Sequence, residues 1–272
     1  MMLEDIESEF NIKVLFAIES GSRVWRLDSA NSDYDVRFVY TRPIEDYLGL
    51  NTKEDVVTAH FDKMGIRMTQ EGCYYDIAGF DIYKFVRMLG KSNPTCVEWL
   101  MSDMIYTGEQ PKELKEWIEA NFNPVSLFFH YQSMCKQNYE KYLKSKNMVT
   151  YKKYLYAMRG LVNAKYMEQF NKIPPIDFGE TLKVTKLPHD VVDKLHEIIR
   201  LKREAKEKDI IQNIKNFDTY IELFLREREK PELIDKVKPH DTTPLNQYLL
   251  DEVLFSLNVM ELAVMKTKRN DK

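Results

Sequence analysis

Strand-type sequence in this chain of 272 residues is confined to roughly the first 110, and helical periodicity follows. That segregation excludes a fold alternating strand and helix throughout, and predicts a sheet-bearing unit followed by a helical one. Val14-Leu15-Phe16-Ala17-Ile18 is a compact apolar run of the kind a buried strand makes. Tyr34 to Tyr40 is β-branched and aromatic, a second strand. Val56–His60 and Cys73 to Phe80 read as two more. Short helices are predicted at Leu3 to Phe10, Ser22 to Leu27, Pro43–Leu48 (with Pro43 as its first residue) and Ile82 to Leu89. From Pro111 onward no strand is predicted. The helices expected there are Pro111–Ala120, Val125–Leu143, Tyr151–Phe170, Pro188–Lys208, Ile210–Glu229 and Pro244–Lys268, separated by proline or turn residues. The boundary falls near 108–123.

Composition narrows the class. With 44% hydrophobic residues the chain can bury a core, so it is not disordered. The net charge of −3 conceals an acidic excess in residues 1–120 and a basic excess in 121–272. Opposed charge of that kind suits two units facing a charged ligand from either side. Cys73, Cys96 and Cys135 are odd in number and widely spaced, which excludes a disulfide framework or a thiolate zinc site. No apolar run approaches the roughly 18–20 residues that span a bilayer, and the acidic N-terminus carries no signal-peptide pattern. The expectation is a cytoplasmic protein without a membrane partner. Nothing in the sequence speaks to oligomeric state.

The chemistry concentrates in Ser20-Gly21-Ser22-Arg23 and, beyond a turn, Asp33-Tyr34-Asp35-Val36. Gly21-Ser22 lies between a buried strand and a short helix, where a glycine lets a ligand approach the backbone and free amides meet an anion. Asp33 and Asp35 are two apart at a strand's start, so both side chains leave one face, their Cα atoms roughly 6.5–7 Å apart. Two carboxylates so placed can hold a hard cation such as Mg²⁺, with positions left for phosphate oxygens. The alternation Asn31, Asp33, Asp35 is not a calcium loop: Val36 stands where the tight-turn glycine belongs and Arg42 where the bidentate glutamate belongs. His196-Glu197-Ile198-Ile199-Arg200 lacks the second histidine of a zincin, and neither a Walker loop nor a GxGxxG is present.

The pattern Gly21-Ser22 … Ser32-Asp33-Tyr34-Asp35 resembles the signature of the polymerase-β-like nucleotidyltransferase superfamily. Asp76 to Phe85, then Ser92-Asn93-Pro94 and Glu98-Trp99-Leu100, resemble the predicted bacterial and phage nucleotidyltransferases of the RNA-ligase-associated, RNA-repair group. The run Tyr151 to Arg159 is similar to that group too, so the likeness covers roughly residues 12–180. It implies an α+β chain: a small mixed-sheet nucleotidyltransferase domain (residues 1–115), then an all-helical domain (116–272). It implies transfer of NMP from an NTP to a hydroxyl, with two Mg²⁺ ions held by Asp33, Asp35 and a third carboxylate on a neighbouring strand. Asp76 and Asp81 compete for that third place. Asp81 opens the next helix, where an aspartate is ordinarily a cap. Asp76 lies within a strand, where a charge is costly unless paired or metal-bound, and is preferred.

The same resemblance assigns Gly21 and Ser22 to the β- and γ-phosphates, with Arg23 or Arg26 adding charge unless they are merely solvated. Residues 131–172 hold nine Lys and Arg against Glu140 and Glu168, with seven tyrosines interleaved. The bland reading is a solubilising face; the functional one is a phosphate-binding face with tyrosines to stack on bases. Lys152, Lys153 and Arg159 are its best candidates for nucleotide contact. RNA ends are the favoured acceptor. The alternatives are modification of a protein or small molecule, or a degenerate module that only binds nucleotide.

Overall fold

The structure, a computed structural model, describes residues 2–51, 53–204, 210–226, 237 and 240–255. The chain opens with helix α1 (Met2–Phe10), strand β1 (Lys13–Ser20) and the single turn α2 (Gly21–Val24). Then come β2 (Tyr34–Thr41), α3 (Ile44–Leu48), β3 (Val56–Phe61), β4 (Tyr75–Asp81), α4 (Ile82–Leu89), α5 (Pro94–Met101) and β5 (Ile105–Gly108). These strands form one sheet in the order β3-β4-β2-β1-β5. It is mixed, because β2 and β4 run parallel while the other pairs are antiparallel. The central strand β2 therefore carries Asp35 between Ser20 of β1 and Asp76 of β4.

One face of the sheet packs on α1 through Ile6, Phe38, Tyr40, Ala59 and Ile77. The other contributes Phe16, Ile18 and Val39 to a larger apolar cluster. That cluster continues through Phe85 and Leu89 of α4 and Trp99 of α5 into the second half of the chain. There follow α6 (Lys112–Asn121), α7 (Pro124–Asn138) with a π-helical turn (Tyr139–Leu143), β6 (Met148–Thr150), α8 (Tyr151–Phe170), α9 (Phe178–Val184) and α10 (His189–Glu204). β7 (Ile210–Gln212), α11 (Lys215–Arg226) and a helical stretch at 243–255 complete the described chain. α8 is the central helix, apolar on most sides, and Gly160 lets α7 cross it closely: a Cβ there would sit 2.7 Å from Cys135 N and Tyr131 O.

Several expectations need correction. The second half is not purely helical, since β6 pairs antiparallel with β7. The helix expected from Ile210 begins only at Lys215, and its last residues, like 256–268 of the final helix, lie outside those described. Strand β5, helix α5 and helix α9 were not expected. Pro43 is the residue before α3 and not its first.

Candidate active site

At the end of β1 the chain turns sharply, with Gly21 at φ +67°. A Cβ on residue 21 would also fall on the Asp35 carboxylate, so conformation and space both require glycine there. Ser22, the next residue, is buried. The loop that returns to β2 is tied down by Arg23: its Nε donates to the Asp33 carbonyl (3.0 Å) and its Nη2 to the Ser32 carbonyl (2.5 Å). Its guanidinium lies 3.8 Å from the centroid of the Tyr34 ring. Arg23 thus holds the aspartate loop in place. Arg26 pairs with Asp103 at 2.6 Å.

Asp35 and Asp76 stand side by side across the parallel β2–β4 pair, and His60 of β3 continues the row. Arg37, two residues beyond Asp35 and so on its face, bridges them: Nη2 is 3.0 Å from Asp35 Oδ1 and 2.8 Å from Asp76 Oδ2. His60 Nδ1 lies 3.1 Å from Asp76 Oδ1. Burial pushes the Asp35 carboxyl up to about 6; Arg37 and Lys152 pull it down, and Asp33 and Asp76 raise it further. Lys152, in the first turn of α8, is near enough for its charge to act on Asp35. Tyr156, one turn along, is raised mainly by burial and also feels Asp33, Asp35 and Lys152.

Asp81 is occupied elsewhere. It caps α4, accepting from Tyr83 N–H (2.8 Å), and accepts from Tyr47 O–H (2.9 Å). Lys153 lies 3.6 Å from the centroid of the Tyr142 ring. Arg159 is not on an exposed face, as the sequence reading had it. It is 3% exposed, donates to Glu98, and stacks 3.6 Å from the centroid of the Trp25 ring. Trp25 Nε1 and Tyr131 O–H donate to the same Glu98 carboxylate (3.0 and 3.2 Å). Arg159 therefore belongs to a buried polar hub beside α2.

Sequence reasoning passed over Arg37, His60, Tyr156 and Glu19. Glu19 is fully buried; Asp35 N–H donates to its Oε1 (3.0 Å) and Tyr106 O–H to its Oε2. Its carboxyl is pushed up, mainly by burial.

The Asp35 and Asp76 carboxylates are the hard oxygen donors a divalent cation takes, and the Arg37 guanidinium occupies the place where the two meet. Among the described residues no three His, Cys, Asp or Glu side chains form a ready metal cage. A mixed sheet carrying paired aspartates on adjacent strands beneath a Gly-Ser turn, backed by a helical half, defines a polymerase-β-like nucleotidyltransferase. Residues 1–251 match the model of the RNA repair pathway DNA polymerase beta family, and the chain belongs to that family. YcgL of Bacillus subtilis (strain 168), described as uncharacterized, is 32% identical over 257 residues, covering 92% of this chain and 94% of that one. A solved nucleotidyltransferase-like protein from Exiguobacterium sibiricum 255-15 matches 94% of this chain and 78% of its own, at 13% identity and a TM-score of 0.30. That likeness is too loose to bear on the site. No helix among the described residues is long and apolar enough to cross a membrane.

Proposed function

We propose that the chain transfers NMP from an NTP to a hydroxyl, with an RNA end as acceptor and two Mg²⁺ ions as cofactor. The observation that carries the reading is the Asp35–Asp76 pair beside the Gly21–Ser22 turn, with the charges of Asp33 and Lys152 acting on Asp35. The acceptor hydroxyl gives up its proton to solvent as its oxygen attacks the α-phosphorus; a new P–O bond forms, and the bond to the bridging oxygen breaks to release pyrophosphate. Asp33, Asp35 and Asp76 would hold the divalent ions, which would supply positive charge for the triphosphate and the leaving pyrophosphate. The amides and hydroxyl of Gly21-Ser22 hold the outer phosphates. Lys152 adds positive charge from the helical side, and Lys153, beside Tyr142, meets the acceptor's phosphates. Arg37 keeps Asp35 and Asp76 together and opposes protonation of Asp35. RNA as acceptor is supported by the family's association with RNA repair and by the basic, tyrosine-rich stretch 131–172.

The test is incubation with each labelled NTP, Mg²⁺ and a mixed acceptor pool that includes RNA. Label in RNA, lost when Mg²⁺ is chelated, is the expected result. Label confined to protein or small molecules removes RNA as the acceptor; none with any NTP defeats the reading.

A further inference from the structure

Among the described residues, Glu19 is a fully buried carboxylate beside the site that the proposed chemistry does not use. It lies in β1, in a run that is otherwise mostly apolar, and burying a carboxylate is costly unless its hydrogen bonds are specific. Its bonds are specific. Oε1 accepts the Asp35 amide, Oε2 accepts Tyr106 O–H, and its own backbone is fixed by Ser102 Oγ–H (2.8 Å to Glu19 O) and Met104 O (2.8 Å from Glu19 N). The last paired position of β1 with β2 is Ser20↔Asp35, because Gly21 then leaves the sheet. The Asp35 main chain thus sits where the β1–β2 ladder ends, and a side chain anchored in β1 and β5 supplies the acceptor for its amide.

We infer that Glu19 is a positioning residue: by holding the Asp35 amide it fixes the main chain from which the catalytic carboxylate projects. The inference rests on the nucleotidyltransferase reading for its kinetic arm and on the amide alone for its structural arm. Gln at position 19 keeps the acceptor oxygen and the shape. Met keeps the volume and removes the acceptor. Tyr106→Phe removes Glu19's other side-chain partner and leaves the Asp35 bond.

The experiment measures kcat and KM for NTP together with amide hydrogen exchange at Asp35. In Glu19→Met, kcat falls on the order of 100-fold, the size of a small misplacement of a catalytic group. KM for NTP stays near wild type, and exchange at Asp35 accelerates. Glu19→Gln restores slow exchange and most of the lost kcat, and Tyr106→Phe stays close to wild type in both. A Met variant with normal kcat, or with the Asp35 amide still protected, overturns the inference. If the Met variant does not fold, the Gln variant decides: slow exchange with kcat largely kept upholds it, and fast exchange with full kcat overturns it. Should the wild type transfer no nucleotide, the function fails, while protection of the Asp35 amide in Gln but not in Met still tests the hydrogen bond.

Discussion

At the level of single residues, Asp35 links geometry to solution behaviour. Its folded pKa of about 6 lies above the ordinary 3.8. Between those values the folded protein binds the extra proton, so metal-free stability falls as pH rises through that window. Mg²⁺ reverses the penalty only where the carboxylates are ionised. We expect the rise in Tm on adding Mg²⁺ to be larger at about pH 7.5 than at about pH 5; equal rises would place the ion elsewhere. Asp76 and Asp81 are separated by what holds them. Asp76→Asn removes a carboxylate from the Asp35 pair and should lower kcat on the order of 100-fold, comparable to losing one charge-stabilising group. Asp81→Asn keeps the oxygen that caps α4 but loses the charge facing Arg42, and should lower Tm while turnover persists. Measuring kcat and Tm on both variants checks the pair, and the opposite ranking moves the third ligand to Asp81. Asp33 and Asp35 stand out in the sequence as candidates by their two-residue spacing beside Gly21-Ser22, and Asp76 because charge inside a strand needs a reason. The same signal was present in Glu19 and, through its two-residue offset from Asp35, in Arg37. His60 and Tyr156 carried no such signal, because only the strand register and the packing of α8 bring them to the site.

Secondary-structure elements were legible in proportion to their periodicity. α4 and α8 have the bounds their apolar spacing predicts, and β1, β2, β3 and β4 are displaced by no more than two or three residues. β5 was missed because all four of its residues are exposed, so it shows no alternation of apolar and polar positions. β6 and β7 are three residues each, too short to display a period; Ile210 and Ile211 instead blended with the helical spacing of α11. The π turn after α7 was hidden for a related reason, since its residues continue the apolar pattern of the helix before it. What the sequence did not foreshadow is how closely α7 and α8 approach. Gly160→Ala would place a methyl against the backbone at Tyr131 and Cys135, neither of which can swing away. We expect a loss of about 1–3 kcal/mol, the usual cost of overpacking, read as a lower denaturant midpoint with an unchanged m-value. A midpoint equal to wild type would mean that the helices slide apart without penalty.

For the molecule as a whole, the question is what couples the sheet to the helical half. A single apolar cluster runs from Phe16 in β1 to Tyr248, so packing alone joins them. Within it lies the polar hub of Arg159 and Glu98, with Trp25 and Tyr131 donating to the same carboxylate. Trp25 directly follows α2, so the hub ties the central helix α8 to the turn that carries Gly21 and Ser22. Lys152 lies in the same helix, seven residues earlier, and its charge reaches Asp35. One helix thus has two separable features: Arg159 anchors it, and Lys152 presents charge to Asp35. Removing one partner of a buried ion pair leaves the other uncompensated and costs about 3–5 kcal/mol. Arg159→Met should therefore lower stability by an amount of that order, and any loss of activity should be recovered on cooling or stabilising the fold. Lys152→Gln should leave Tm nearly unchanged, since a partly exposed charge contributes little to folding, and should raise KM for NTP several-fold. Thermal melts and steady-state kinetics on the two variants separate the two. A stable Arg159→Met variant with a raised KM for NTP would return Arg159 to the nucleotide site. A Lys152→Gln variant with unchanged KM would leave the basic half without a demonstrated hold on the triphosphate.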